Sequence, residues 1–404
     1  MENVPPVPKP PHVPAALVRD WDFVEFGVGT DDIQAAYHEI QQDNPDIFWT
    51  PENGGHWVAT RAEDIVYMQR HTEDFSNRHF TLPPFPDEVP PMLPLGLDPP
   101  IHGQYRRPLM QALTPGAVKH LEDAVRKVAI EQIETLLPRG ECEFIEEFAK
   151  VLPIHVFLDM VDLPREDKSF LLPIAESSTR ARSMEERIQA QQDMGGYLLG
   201  WVRKRRANPG DDLLSKIVTV KIDGQQISEE EAVNYATLVL FGGLDTVAGM
   251  LGLVAKFLAE HPDHRHQITA NLDDPKFMKN AIEELIRRHG IANTSRIITH
   301  DMDYKGVHFK KGDHILPPNL LAGVDDRLNP DPLKVDFARE KPVHAAFGNG
   351  PHACPGAILA RREIDVFLKE WLIRIPEFRI KPGTRPKLIT GQVNGILELQ
   401  LVWP

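Results

Sequence analysis

Apolar residues recur at intervals of three and four through most of the chain. This spacing predicts an amphipathic helix over 117–137 and another over 357–372. A longer helix is predicted over 228–260, because Ser228 and Glu231 form a capping box at its start and a His-Pro pair follows its end. The pattern is that of a mainly α-helical protein.

Short apolar runs typical of strands are few, and they cover 57–60, 296–299 and 397–402. Prolines crowd the stretch 82–100, which therefore cannot form a regular helix. A long irregular segment in a compact protein is often a lid or a binding loop. We expect a helical protein with a small β-rich region and one functional loop.

Charge and composition narrow the possible partners. The 404 residues carry a formal net charge of -14, which argues against general affinity for nucleic acid. Two cysteines provide no disulfide framework and suit a reducing cytoplasm. The proline-rich N-terminus lacks the features of a signal peptide or anchor. Asp245 and Lys256 within the apolar stretch 236–258 argue against a membrane span. We expect a cytoplasmic protein with no membrane or nucleic-acid partner.

The most informative residue is Cys354, which lies in a glycine-rich loop over 347–356, just before a predicted helix. Gly348 and Gly350 allow the backbone to curl closely around the sulfur. Pro355 falls where the first helical residue is expected, a favoured position for proline. A thiolate at such a place is stabilised by backbone N–H groups, by the helix dipole or by a metal.

Several partners for this sulfur are conceivable. The only other cysteine is Cys142, so a zinc ribbon or an iron–sulfur cluster has too few thiolates. A cysteine-protease nucleophile with His352 as base does not fit the flanking loop. A buried inert cysteine is the usual fate of an isolated thiol. A single thiolate on haem iron fits best, and the glycine–histidine framing favours this interpretation over the inert one.

The loop over 347–356 matches the Phe-Gly-x-Gly-x-His-x-Cys-x-Gly signature of cytochromes P450. Residues 284–287 resemble the Glu-x-x-Arg pair of the family's K helix, 242–246 its oxygen-activating I helix, and 102–106 its C-helix His-x-x-x-Arg. The resemblance covers nearly the whole chain. It is strongest to the bacterial camphor-hydroxylase group, through residues 11–14, 54–57, 241–246 and 401–403.

The resemblance implies the cytochrome P450 fold, a triangular prism of helices with a small β-rich region. It implies one domain over 1–404 and a monomer that binds haem b through Cys354. The β-rich part is expected approximately over 1–80, 290–345 and 376–404.

The resemblance also implies how oxygen is handled. Thr246 is expected to hydrogen-bond the bound oxygen, and Asp245 is expected to relay protons to it, which is positioned acid catalysis. Gly242 and Gly243 cost roughly 1 kcal/mol each against alanine inside a helix. Close helix packing is one explanation for them; the resemblance instead implies a kink where the helix approaches the cofactor.

Haem propionates need cationic or hydrogen-bonding partners, and arginine suits carboxylate geometry. The resemblance assigns this role to His102, Arg106, Arg296 and His352. Phe347 and Gly348 complete the expected cofactor-binding set, together with the two helix glycines.

Glu284 and Arg287 lie three residues apart and share a helix face. The default for such a pair is a surface ion pair worth roughly 0–1 kcal/mol. The resemblance implies a buried structural pair that braces the loop before the cysteine.

The expected substrate pocket is mostly apolar, which indicates a small hydrophobic substrate. In camphor hydroxylase a tyrosine contacts the substrate where Pro90 stands here, and Phe241 and Gln392 also depart from that enzyme. We therefore expect a terpenoid that is camphor-like, 1,8-cineole-like or norisoprenoid, with Gln392 or Thr179 as polar contact. The expected pocket residues are Phe80, Pro90, Met92, Leu95, Thr179, Leu238, Phe241, Ala292, Thr294, Gln392 and Val393.

The chain contains no flavin or nicotinamide motif, so electrons must come from another protein. The resemblance implies a [2Fe-2S] ferredoxin with an NADH-dependent reductase, docking at a face with Arg106, Lys341 and Arg361. Two alternatives are a non-catalytic haem-thiolate sensor or carrier and a peroxygenase that uses H₂O₂. Neither of these needs the Asp245–Thr246 pair.

Overall fold

A computed structural model describes residues 6–27, 29–86, 88–180 and 183–404, without the side chains of 179 and 180. The helices are α1 Ile33–Asp43, α2 Ala62–Arg70, α3 Ile101–Ala112, α4 Pro115–Leu136, α5 Val151–Val161, α6 Lys168–Arg180, α7 Met184–Ala207, α8 Leu213–Val218, α9 Glu229–Glu260, α10 Pro262–Thr269, α11 Pro275–Arg288 and α12 Ala357–Arg374. The strands are β1 Ile47–Thr50, β2 His56–Ala59, β3 Phe75–Ser76, β4 Glu141–Glu143, β5 Lys221–Ile222, β6 Gln225–Gln226, β7 Arg296–Ile298, β8 Met302–Tyr304, β9 Val307–Phe309, β10 His314–Leu316, β11 Arg379–Ile380, β12 Lys387–Ile389, β13 Gly395–Glu398 and β14 Gln400–Val402.

The strands form one larger sheet and several small ones. The larger sheet has the order β1-β2-β10-β7-β3, and all its pairs are antiparallel except β2 with β10. A three-stranded sheet has the order β11-β14-β4, and β5-β6, β8-β9 and β12-β13 are two-stranded. The architecture is mainly helical with small sheets, as the sequence predicts.

Three strands lie outside the ranges expected to be β-rich. Strand β4 pairs with β14 and so extends the C-terminal sheet from the middle of the chain. Strands β5 and β6 form a hairpin around Asp223 and Gly224, whose φ angles of 48° and 82° suit a tight two-residue turn. This turn pattern explains a hairpin inside an otherwise helical stretch.

Helix α9 is the central element of the fold. Its start carries the predicted capping box, in which Glu231 N donates to Ser228 Oγ at 3.0 Å and Ser228 N donates to Glu231 Oε2 at 2.6 Å. The part over 232–244 packs in one apolar core and the part over 247–259 in another. The boundary between the two cores falls at Asp245 and Thr246.

Among the described residues, α9 is the helix long and apolar enough to cross a membrane, with a mean hydropathy of 1.9 in its most apolar window. However, 72% of that window is buried inside the protein. Burial on this scale is that of a core helix, in agreement with the sequence-based interpretation.

The other predicted elements are present with adjusted ends. The helix predicted over 117–137 is α4, and the one predicted over 357–372 continues to Arg374 as α12. The described part of 82–100 contains neither helix nor strand. The strand predicted over 397–402 is divided at Leu399, whose N–H donates to Glu143 and whose carbonyl accepts from Phe144. At this residue the chain leaves the pairing with β12 and joins β4 and β11.

Candidate active site

The loop that carries Cys354 is closed by a hydrogen bond from Cys354 N to the Phe347 carbonyl at 2.7 Å. Gly348 and Gly350 both have a φ of 67°, in the left-handed region that favours glycine. A Cβ on Gly350 would also lie 2.7 Å from the Gln69 carbonyl oxygen. The two glycines are therefore required by the loop geometry.

The predicted place of Pro355 is wrong by two residues. Helix α12 begins at Ala357, with Gly356 as its N-cap, and Pro355 lies in the turn before it. The turn holds the cysteine just outside the helix, where Ala357 N donates to the Cys354 carbonyl at 3.4 Å. Proline therefore rigidifies the approach to the helix here.

Burial raises the pKa of the Cys354 thiol, although the Gly356 N–H and the charges of Arg106 and Arg361 act in the opposite direction. The residue is nevertheless exposed. The net shift of the pKa is upward and so disfavours the thiolate, whereas a metal bound to the sulfur would favour it.

Four cationic or imidazole side chains predicted for the cofactor gather beside this loop. Arg106 donates to the carbonyl of Ala353, next to the cysteine. The rings of His102 and His352 are 4.2 Å apart, and both residues are buried. Arg296 is also buried, and its Nη1 donates to the Ser295 carbonyl at 2.7 Å.

A residue that the sequence-based reasoning missed, Asp98, joins this group. Its carboxylate accepts from the Ser76 hydroxyl and from Asn77 N at 2.9 Å, and lies 3.8 Å from His352 Nε2. Burial works to raise the pKa of Asp98, but His352 and these hydrogen bonds hold it below its ordinary value. Asp98 immediately precedes the proline pair before α3, yet no sequence pattern separates it from the loop's other acids.

The predicted oxygen-handling residues lie near the middle of α9. Thr246 Oγ1 donates to the Gly242 carbonyl at 2.9 Å, and Asp245 is buried. Helix α9 is α-helical without interruption, so the kink expected at Gly242 and Gly243 is not present as a break in the helix. Apart from their sequence neighbours and the helix's own backbone, no described atom lies within 4 Å of a Cβ built on either glycine, so the backbone here faces open space.

Glu284 and Arg287 form a buried ion pair. Arg287 Nε and Nη2 donate to the two carboxylate oxygens at 2.7 and 2.8 Å, and both side chains are fully buried. Arg339, which the sequence analysis missed, donates to the same carboxylate at 3.1 Å. Arg287 also donates to the carbonyls of Pro332 and Lys334, so the pair fixes the segment leading toward the cysteine loop.

Three segments bring several predicted substrate residues together. Ala292 and Val393 form an isolated β-bridge, and Asn293 N donates to the Gln392 carbonyl at 2.9 Å. Ser295 N donates to the Phe80 carbonyl at 2.9 Å. Four of the residues predicted to line the substrate pocket therefore lie close together: Phe80, Ala292, Gln392 and Val393.

The remaining predicted substrate residues divide into groups. Phe241 and Met92 pack in the same apolar core, and Leu238 lies on the same helix as Phe241. Pro90 is exposed, in a loop that also carries the half-buried Leu95. Thr294 Oγ1 accepts from Arg296 Nη1 at 3.1 Å and so is turned toward the cofactor group. The side chain of Thr179 lies outside the described residues.

The predicted redox-partner face is less basic than expected. Arg361 Nε and Nη2 donate to the two carboxylate oxygens of Glu283 at 2.5 and 3.0 Å, and its guanidinium lies 4.5 Å from the ring centroid of Phe347. Arg106 is turned into the cysteine loop. Lys341 is exposed. The adjacent carboxylate therefore offsets much of the charge that Arg361 was expected to offer.

Comparison with known proteins identifies the family. The cytochrome P450 family model matches residues 170–401. The chain is 34% identical to Probable cytochrome P450 127A1 of Sinorhizobium fredii, over 98% of this chain and 97% of that protein. It is 27% identical to the Methyl-branched lipid omega-hydroxylase of Mycobacterium tuberculosis, over 98% and 96% of the two chains.

Two solved structures agree over the whole fold. The structure of CYP101J2 matches with a TM-score of 0.90 and 35% identity, and that of CYP101C1 with 0.89 and 36%. Each match covers 98% of this chain and 100% of the other. The chain belongs to the cytochrome P450 family and resembles its camphor-hydroxylase group. It is a haem-thiolate monooxygenase whose cofactor is haem b.

The residues present fit this cofactor. Among the described residues, Arg296 Nε and both ring nitrogens of His352 are buried without a hydrogen-bond partner. An unsatisfied buried polar group costs about 1–3 kcal/mol, and propionate carboxylates would satisfy these groups. Burial, with the nearby His352 and Arg106, lowers the pKa of His102 to about 4, so this imidazole is a neutral hydrogen-bonding group. The open backbone at Gly242 and Gly243 suits a flat group.

Proposed function

We propose that this protein hydroxylates a small hydrophobic terpenoid, using O₂ and electrons delivered by a [2Fe-2S] ferredoxin. The observation that carries the site assignment is a pair of buried nitrogens beside the loop of Cys354, Arg296 Nε and His352 Nδ1, which have no hydrogen-bond partner among the described residues. The other ring nitrogen of His352 lies 3.8 Å from Asp98. Cys354 would bind the haem iron. Arg106, Arg296, His102 and His352 would bind the propionates. The bound haem supplies reductive activation of O₂.

The chain's own contribution to the chemistry is proton delivery. Thr246 has a hydroxyl that donates to the Gly242 carbonyl and retains lone pairs that can accept a hydrogen bond. Asp245 precedes it at the boundary of the two apolar cores, and its side chain is buried. A carboxyl followed by a hydroxyl would pass protons toward the place where Thr246 Oγ1 lies, with apolar residues of the two cores on either side.

The substrate class rests on the pocket residues. Phe241 and Met92 provide apolar contacts within one core, and Phe80, Ala292 and Val393 converge from three segments. A camphor-like, 1,8-cineole-like or norisoprenoid compound matches this lining. Gln392 offers a polar side chain at the same place, where an oxygen of the substrate would be recognised. Titration with such compounds, followed by the spin state of the haem, tests the class.

We propose that electron transfer occurs at the face that carries Lys341, in a cytoplasmic protein. Because Arg361 is paired with Glu283, Lys341 would carry more of the electrostatic attraction than the sequence suggested. Screening by salt should then slow reduction by the ferredoxin.

The decisive experiment compares Thr246→Ala with Thr237→Ala, a buried threonine on the same helix outside the proposed relay. With ferredoxin, reductase, NADH and a substrate that shifts the spin state, Thr246→Ala should consume NADH but form several-fold less product per NADH. Thr237→Ala should remain coupled. Equal coupling in Thr246→Ala and wild type would exclude the proposed relay. Turnover supported by H₂O₂ but not by ferredoxin would instead identify a peroxygenase. The absence of turnover with both H₂O₂ and ferredoxin would identify a sensor or carrier.

A further inference from the structure

A cleft of about 390 Å³ lies in a different part of the molecule from the residues assigned to haem and substrate. Its walls come from the start of α1, the C-terminal part of α9, helix α10, the end of α11 and the segment 333–335. Leu253, Phe257 and Leu388 supply much of its apolar lining. A volume of this size lies in the usual range of about 300–1,000 Å³ for small-molecule sites.

Three histidine rings surround Phe257 in this cleft. The ring centroids of His261, His264 and His289 lie 4.3, 5.1 and 5.3 Å from that of Phe257. All four residues line the cleft. No group of three or more histidine, cysteine or acidic side chains able to hold a metal is found among the described residues, so these rings do not form a metal site.

His289 is the unusual member of the group. It is 6% exposed, and within the described part of the chain neither ring nitrogen has a hydrogen-bond partner. Next to it, Arg288 donates from Nε to the Leu333 carbonyl at 2.8 Å and from Nη2 to Asp32, but its Nη1 has no hydrogen-bond partner. Leaving such groups unsatisfied costs about 1–3 kcal/mol each, so the cleft wall is suited to a polar ligand group.

The other histidines present acceptors. Because a carbonyl oxygen can only accept, His261 Nδ1 donates to Phe257 O at 2.9 Å and His264 Nε2 donates to Val335 O at 3.1 Å. Their remaining ring nitrogens therefore carry lone pairs in the neutral form. Burial lowers the pKa of His289 well below its ordinary value, so this ring is neutral and offers one N–H and one lone pair.

Most of the charged groups at the cleft are already paired, Asp31 among them with Arg385 outside the lining, and Lys334 is exposed. Lys256 Nζ lies 2.7 Å from Glu260, and Arg288 is paired with Asp32. A charged ligand would have to compete with these carboxylates and cations. A neutral hydroxyl, by contrast, both donates and accepts, which is what a mixture of unpaired N–H groups and imidazole lone pairs requires.

We infer that this cleft binds a neutral alcohol with an apolar skeleton. Its hydroxyl bonds to His289, and its skeleton packs against Leu253, Phe257 and Leu388. The inference does not rest on the proposed substrate or on electron transfer. The alternative occupant is ordered water, which needs polar partners but gains nothing from the apolar lining.

The test uses the full-length, haem-loaded protein with 4-phenylimidazole bound to the iron, so that the haem pocket is filled. Benzyl alcohol is titrated by calorimetry, and the ring signals of ¹⁵N-histidine-labelled protein are followed by NMR. Toluene is the matched probe without a hydroxyl. Leu388→Trp fills the cleft, His289→Leu removes the polar contact, and Leu397→Trp is an exposed control on β13, outside the cleft lining.

We expect saturable binding of benzyl alcohol that shifts the His289 signals, with toluene several-fold weaker. Leu388→Trp and His289→Leu should each weaken binding at least tenfold, and Leu397→Trp should leave it unchanged. An absence of saturable shifts at His289 would show that the cleft holds water only. Equal affinity in Leu388→Trp and wild type would place the ligand elsewhere. Either result overturns the inference without bearing on the monooxygenase reaction.

Discussion

Glu363 on α12 is a buried acid, and among the described residues no cation forms an ion pair with it. It is 2% exposed, and burial alone raises its pKa from 4.5 to about 8. The residue lies on the helix that follows the cysteine loop, facing the protein interior. A carboxyl in this setting is protonated in the native protein at neutral pH, whereas in the unfolded chain it is ionised.

This difference links folding to pH. Because the native pKa is the higher one, the stabilisation is fully present below pH 4.5 and is lost as pH rises through about 8. At about 1.36 kcal/mol for each pH unit, the loss amounts to roughly 5 kcal/mol over the whole window. Between pH 6 and pH 8 it amounts to roughly 2.3 kcal/mol, because the native carboxyl is half ionised at pH 8. Glutamine resembles the protonated acid and does not titrate, so Glu363→Gln should remove this dependence.

The assay is urea unfolding of the haem-loaded protein at pH 6 and pH 8, for wild type and Glu363→Gln. The variant should be the more stable protein at both values, and its advantage should grow by about 2–3 kcal/mol between them. Glu370 is the matched control, because it is also buried on α12 but accepts hydrogen bonds from Arg126 and Arg374. Glu370→Gln should destabilise the protein, since it removes the buried carboxylate that both arginines share and leaves them only the more exposed Glu122 and Glu134.

A constant difference between wild type and Glu363→Gln at the two pH values would refute the reasoning. It would mean that Glu363 has the same ionisation state in the folded and unfolded chains across this window. A destabilised Glu363→Gln variant at pH 8 would show instead that the carboxylate form makes a favourable contact.

Three other outcomes follow from the site. Arg296→Ala should lower haem retention, measured as the haem-to-protein absorbance ratio after gel filtration, and unchanged occupancy would remove Arg296 from the propionate group. Gln392→Leu should weaken the binding of an oxygenated terpenoid, measured by spin-state titration, or alter the position of hydroxylation. If affinity and regioselectivity both stay at wild-type values, Gln392 is not the polar contact. Arg287→Leu should destabilise the protein by about 3–5 kcal/mol, because the buried Glu284 carboxylate loses one of its two arginine partners. A loss of stability below about 1 kcal/mol in urea unfolding would contradict the structural role.

Elements encoded locally were predictable from the sequence. The start of α9 follows from Ser228 and Glu231, whose reciprocal hydrogen bonds span three residues. The cysteine loop is likewise defined by glycines that adopt left-handed φ angles within a few residues of Cys354. In both cases the determinants lie within one turn of the element that they specify.

Features that depend on distant parts of the chain were not predictable. Arg339 reaches Glu284 across 55 positions, and Arg361 finds Glu283 across 78, so neither contact has a local signal. Asp98 approaches His352 only because the proline-rich loop folds over the cysteine loop. The division of the last strand at Leu399 similarly depends on β4, a strand more than 250 residues earlier.

The two apolar cores that share α9 have a consequence for how such an enzyme can diversify. Helices α6, α7 and α8 pack against the first half of α9, and β13 and α12 against the second. If the proposed substrate contacts are right, substitutions in the first core could accommodate a new substrate while the second core continues to hold the helix. Asp245 and Thr246 lie at the boundary between the two cores. The arrangement would then let the substrate pocket change while the residues proposed for proton delivery keep their positions.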